Sequence, residues 1–177
     1  DWSSDVCSSD LPRVYLAWHS PATFKPGDAD ADLLSDLLAN GKTSRLYRTL
    51  VFERRLAVDV SAYQYSRELG GFFLLVATAA PGRTLTEIVD VVDETLAAIV
   101  VDGPTDDEMA RGVAQAEAHF LYRLQTVGGF GGKSDQLNAY NVLVGDPGYF
   151  SQDLARFRTA SRQSIRSEEH TSELQSH

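Results

Sequence analysis

The apolar positions of this chain follow a period of two in the first half and a period near 3.6 in the second. Arg13–Ser20, RVYLAWHS, sets Val14, Leu16 and Trp18 against Tyr15, Ala17 and His19, which predicts a strand running into the Pro21–Gly27 loop. DADADLLSDLLAN then places Leu33, Leu34, Leu37 and Leu38 at helical spacing behind an acidic start, with Asn40-Gly41 as the stop. A second helix is expected from Thr43 or Ser44, either of which can cap it, with Leu46, Tyr47, Leu50 and Val51 on one face. AVDVSAYQYS returns to alternation, with Val58, Val60 and Ala62 on one face against Asp59, Ser61 and Tyr63 on the other. After a loop at Glu68–Gly70, GFFLLVATA is apolar on both faces, which predicts a central strand in a hairpin with its predecessor.

The remainder reads as helices. Thr84 with Glu87, and Thr105 with Glu108, each fit the capping box, in which two side chains satisfy amides left unpaired at a helix start. The first helix is expected to bury Leu85, Ile88, Val92, Leu96 and Ile99, and to end at the turn DGPT. The next is expected to bury Met109, Val113, Ala116, Phe120, Leu124 and Val127 before Gly128–Gly132 breaks it. Two more follow, around Leu137–Val144 and Phe150–Phe157, divided by GDPG. The order β-α-α-β-β-α-α-α-α predicts an α+β domain of two layers, an antiparallel-rich sheet packed on helices.

Neither end of the chain has such a period. DWSSDVCSSDL and RSEEHTSELQSH can be back-translated into strings that are reverse complements apart from their last bases, and both resemble a sequencing adapter. Residues 1–11 and 166–177 are therefore read as adapter-derived, and 12–165 as the domain. This changes the composition. The net charge of −9 falls to −4, with 19 acids against 15 bases, and the lone Cys7 is lost. The two histidines and three glutamates of the last segment (His170, His177, Glu168, Glu169, Glu173) drop out as metal ligands. Mild acidity leaves no basic footprint for nucleic acid, and no apolar run approaches the ~20 residues of a membrane span.

Candidate chemistry within 12–165 is sparse. Gly-Lys-Thr at Gly41 and Gly-Lys-Ser at Gly132 match the tail of a phosphate-binding loop, but the glycine required five residues earlier is Asp36 or Val127. Lys42 and Lys133 are then solvated helix-boundary residues. His19 and His119, the latter two residues after Glu117, lack the spacing of a zinc motif, since neither His-Glu-x-x-His nor His-x-x-Glu-His occurs. Tyr63, Tyr65, Phe72 and Phe73 could form a platform for single-stranded nucleic acid, but only Arg67 interleaves with them, and hairpin and core packing is the expected role.

The stretch GKTSRLYRTLVFERRLAVDVSAYQYSRELGGFFLLVATAAPG resembles the second-type, non-zinc domain of the pitrilysin/insulinase family of zinc metallopeptidases. VDGPTDDEMARGVAQAEAHF resembles the family's Gly-Pro-Thr turn and long helix, and GGFGGKSDQLNAY and GDPGYFSQDLARFR its closing helices. The resemblance implies a processing-peptidase-like domain that helps enclose and position a peptide substrate. Hydrolysis would belong to a catalytic domain carrying zinc on His-x-x-Glu-His, in the same chain or in a partner subunit. No catalytic residue, zinc ligand or cofactor is carried over to this chain, which is expected to bind no zinc and cleave nothing alone.

Active second domains of the family often carry an Arg and, seven residues on, a Tyr, a cation and a phenol suited to stabilising developing negative charge. The matching positions here are Val51 and Val58, and Arg54 or Arg55 could substitute only if the helix register differed. The resemblance also implies a C-terminal truncation: after RFRTASRQSI the family continues through the rest of a helix and a closing strand, so an exposed sheet edge or apolar face is expected. Two further readings are carried: a non-catalytic assembly subunit of a processing-peptidase-like complex, and, third, a nucleotide-binding protein.

Overall fold

The computed structural model describes residues 11–128 and 131–166. The segments read as adapter-derived lie outside these except for Leu11 and Arg166. Three strands, β1 (Arg13–Ser20), β2 (Ala57–Ser66) and β3 (Gly71–Ala79), form an antiparallel sheet in the order β1-β3-β2. The strand that is apolar on both faces is thus the central one, because only there do both sides of the ladder need neighbours. β1 and β2 are the edges.

Every helix lies to one side of this sheet or beyond it. α1 (Asp28–Ala39) crosses β2 and buries Leu33, Leu34, Leu37 and Leu38, then stops at Asn40 and Gly41, whose φ of 79° suits only a residue without Cβ. α2 (Leu85–Asp102) and α3 (Asp106–Gln125) each open on the expected capping box, Thr84 with Glu87 and Thr105 with Glu108. α4 (Lys133–Leu143), α5 (Phe150–Thr159) and α6 (Arg162–Arg166) close the layer over α1, α2 and α3. The core joins Trp18, Phe73, Leu75 and Val60 of the sheet to Leu38, Leu46, Leu50, Ile88, Val92 and Ile99. The fold is α+β.

Four local expectations need correction. The helix expected from Thr43 or Ser44 is capped by neither: the Ser44 hydroxyl donates to the Gly41 carbonyl at 2.8 Å instead. Its body is a π-helical turn, Tyr47–Glu53, in which the Arg54 amide donates to Thr49, five residues back. Such wide turns insert one residue relative to an α-helix. Leu46 and Leu50 are fully buried, while Tyr47 and Val51 pack at the core's margin.

The alternation of β2 is broken at its start. Ala57 lies opposite Ala79, but Asp59 lies opposite Thr78, so Val58 is an extra residue in a β-bulge. Ala57 and Val60 point into the core, and Val58, expected to share a face with Val60 and Ala62, is turned to solvent. Val127, expected inside α3, lies past its end and is exposed. A short sixth helix, α6, was not expected. Its Arg166 donates to the Val100 carbonyl at 2.8 Å, anchoring it beside α2.

Candidate functional site

The π-turn and the bulge bracket the two positions singled out by the sequence. Val51 sits on the turn and packs inward, while Val58 sits on the bulge and faces solvent, so the pair does not present one surface. Neither candidate substitute takes over. Arg54 donates to Glu94 of α2 at 2.9 Å, held away from the sheet. Arg55 is exposed with φ at 51°, a left-handed conformation unusual for a residue with a side chain. Just before the turn, Arg45 donates through two nitrogens to the Glu108 carboxylate at 2.8 and 2.7 Å and to the Gly103 carbonyl at 3.1 Å. Arg45's hydrogen bonds, aided by the Thr105 amide, hold the Glu108 carboxyl down to about 2. That cluster fixes the turn against the start of α3.

Beside the bulge opens the second feature, the face of the sheet turned away from the helices. Its residues form rows across β1, β3 and β2: Arg13–Thr78–Asp59, Tyr15–Val76–Ser61, Ala17–Leu74–Tyr63 and His19–Phe72–Tyr65. Tyr15, Tyr63, Tyr65 and Phe72 are 60%, 44%, 42% and 44% exposed, high values for rings that usually sit inside. Tyr65 stacks on Phe72 with centroids 5.1 Å apart, and Tyr63 leans on Tyr65 at 6.0 Å. Of the four aromatics expected in hairpin and core packing, Phe73 alone is in the core, against Trp18. The period of two determines this: Phe72 and Phe73 are neighbours in sequence and so must face opposite ways.

On the helical side, a cavity of about 320 Å³ lies between α1, α3, α4 and α5. Asp28, Asp32 and Asp36 reach it from successive turns of α1, with His119 and Arg123 from α3 and Asp153 and Arg156 from α5. Two of these carboxylates are fully engaged. Asp28 accepts from the Phe24 amide at 2.9 Å and Arg156 at 3.1 Å, and Asp153 accepts from Arg156 at 2.6 and 3.0 Å and from the Tyr140 hydroxyl at 2.7 Å. Burial, with the Asp153 carboxylate beyond it, raises the Tyr140 phenol well above its ordinary value. Arg156 also lies over the Phe24 ring, 5.1 Å from its centroid. Asp32 has no such partner: burial, then Asp28 and Asp36 on either side, push its carboxyl up to about 7. The acidic spacing of four along α1 could have flagged this cavity in the sequence; Arg156, 128 residues from Asp28, could not.

The remaining sequence candidates are not brought together. Lys42 and Lys133 are exposed at helix boundaries far apart in the fold, and Lys133 simply begins α4. His19 is exposed on the free face and His119 on α3, while Glu117 pairs with Arg158 at 2.6 Å. Among the described residues no three His, Cys, Asp or Glu side chains come together to hold a metal ion, and no helix is long and apolar enough to cross a membrane.

Residues 3–116 match a family model described as the peptidase M16 inactive domain. No curated protein matches the chain. Among solved structures, a protease from Helicobacter pylori superposes with a TM-score of 0.78 at 22% identity, over 92% of this chain but 39% of that protease. The inactive peptidase domain of a zinc-protease candidate from Bordetella parapertussis gives 0.76 at 22% identity, over 93% of this chain and 84% of that one. A zinc-protease candidate from Bordetella pertussis gives 0.75 at 23% identity, over 92% of this chain and 86% of that one. At these identities the superpositions establish a shared fold.

Proposed function

The chain belongs to the peptidase M16 inactive-domain family, and we propose that it serves a zinc metalloendopeptidase as the domain that encloses and positions peptide substrate. Zinc and the catalytic groups would lie in a partner domain, of the same chain or of another subunit. One observation carries this reading: among the described residues, a sheet face lined with apolar and aromatic side chains is left bare by the helices; beside it we take Val51 and Val58 to stand where the family's polar pair would be. Such a face can hold an extended peptide through contacts indifferent to sequence. It offers no cation or phenol at Val51 or Val58 to stabilise an oxyanion.

The purified chain is expected to carry no stoichiometric zinc and to leave a quenched fluorescent peptide intact. Adding the His-x-x-Glu-His domain encoded with it should restore chelator-sensitive cleavage. In that mixture Tyr63→Ser should raise KM more than it lowers kcat, because its contacts act on binding. Chelator-sensitive cleavage by the chain alone would overturn the reading. Replacement of both polar positions also favours an assembly subunit, and the gene separates the two. A His-x-x-Glu-His about one domain upstream in the same frame supports the single-chain enzyme; a start codon without it supports the subunit.

A further inference from the structure

We infer that the cavity on the helical side binds a small organic cation, a primary ammonium carried on an apolar stem, with Asp32 as its counter-ion. The cavity lies among the helices and not on the bare sheet face, so the inference stands apart from the peptide reading. Two observations carry it. The charges lining the cavity do not balance: Asp28, Asp32, Asp36 and Asp153 face Arg123 and Arg156, which leaves the space net negative. The Asp32 carboxylate, deeply set against this space, makes no hydrogen bond or ion pair among the described residues. A buried carboxylate without a partner is costly, and open volume beside it is room for one.

No neighbour serves Asp32. Arg156 is committed to Asp28 at 3.1 Å and Asp153 at 2.6 Å, and the rings of Phe24 and Phe157 lie 5.1 and 5.8 Å from its guanidinium. The Ser35 hydroxyl donates to the Asp32 carbonyl at 2.8 Å, leaving the carboxylate alone. Asp36 already accepts from Asn40 at 2.8 Å. Arg123 is exposed and does not pair with Asp32.

The donor set selects the ligand. Successive acids on α1 stand about 6 Å apart along the helix axis, too far for three to converge on one metal ion. An ammonium needs only one carboxylate and a ring face. Phe120 and Phe157, edge to face at 5.5 Å, join Phe24 as the apolar wall for a stem. The volume of about 320 Å³ suits a small ligand.

An ammonium pairs only with the ionised carboxyl, and burial, then Asp28 and Asp36, push that of Asp32 up to about 7. Affinity therefore rises by about tenfold from pH 6 to pH 8, and binding at pH 6 releases close to one proton. The other charged or titratable groups facing Asp32 are Asp28 and Asp36 of α1, His119 and Arg123 of α3, and Asp153 and Arg156 of α5; α4 contributes the uncharged Gln136 and Ala139.

Calorimetric titration of the full chain with benzylamine, in buffers of different ionisation heat, tests this. The expected result is one site with that pH dependence and proton release. Asp32→Asn should weaken binding by about tenfold or more and flatten the profile, with the circular-dichroism spectrum intact. His119→Gln should keep the profile, which separates the imidazole from the carboxyl. Benzyl alcohol, of the same shape without the charge, should bind at least about tenfold more weakly. N-acetyl-lysine amide presents the same ammonium on a peptide side chain: tighter binding than benzylamine assigns the site to lysines, and weaker binding assigns it to free amines. Absence of binding at tens of millimolar amine would overturn the inference. So would equal binding of benzyl alcohol, magnesium competing for the site, or an affinity unchanged in Asp32→Asn.

Discussion

The two faces of one three-stranded sheet have opposite fates although they are built from alternate residues of the same segments. Toward the helices, Phe73, Leu75, Ala77 and Ala79 of β3 are at most 1% exposed; toward solvent, Phe72 remains 44% exposed. The apolar content of the strands does not make this difference. What makes it is placement: the described helices, α1 to α6, all lie on or beyond one side. The core-facing side ends in a polar chain: Gln64 Nε2 donates to Asp28 at 3.5 Å, and Asp28 leads through Arg156 to Asp153 and Tyr140, while Gln64 Oε1 and Ser20 Oγ are buried without a hydrogen-bond partner. Among the described residues, one side of the sheet is packed by helices, and the other is left to solvent.

The largest test of that contrast is a pair of truncations. Leu75→Ala should cost about 3–5 kcal/mol in urea unfolding, because it leaves a cavity among fully packed neighbours. Phe72→Ala, one pleat away in direction, should cost less than about 1 kcal/mol, and equal costs would show that the bare face is already covered. Next comes the polar end. Asp153→Ala leaves Arg156 and the buried Tyr140 with one carboxylate fewer, and should cost about 3 kcal/mol by the same measurement.

Asp32 should show the opposite sign, since its folded carboxyl titrates at about 7 and its unfolded one near 3.8. A raised acid favours folding while protonated in both states, and that advantage is lost as pH rises from about 4 to about 7. Asp32→Asn should therefore stabilise the protein at pH 8 by on the order of 2 kcal/mol and flatten its melting temperature between pH 4 and 7. An unchanged profile would show that Arg156 and Arg123, the cations nearby, offset the burial of Asp32. The smallest effect is expected at Arg55, on the approach to the bare face. Glycine there relieves the positive φ at the cost of unfolded-state entropy, so Arg55→Gly should gain about 0.5 kcal/mol.

Much of the architecture was legible in the chain. The central strand, both capping boxes and the stop at Asn40-Gly41 are local rules, in which a residue's neighbours along the sequence are its neighbours in space. Misreadings arose where a single extra residue entered a regular pattern. The π-turn at Tyr47–Glu53 and the bulge at Val58 each insert one, and a period of two or 3.6 offers no sign of an insertion that packing imposes. The resemblance singled out Val51 and Val58, yet only the fold shows that Val51 turns inward and Val58 outward.

By itself, then, the sequence determined which segments are strands and helices, that β3 is central, and which family the chain joins. The elements rest on periodicity and local capping, interactions that close over a few residues, and the family on the resemblance of longer stretches. The tertiary structure alone decided that Asp28 meets Arg156, that Asp32 is stranded, and that the aromatics of β2 and β3 line an open face. Those outcomes depend on which helix covers which side of the sheet, a matter of contacts between residues as far as 128 and 134 apart that no local pattern encodes.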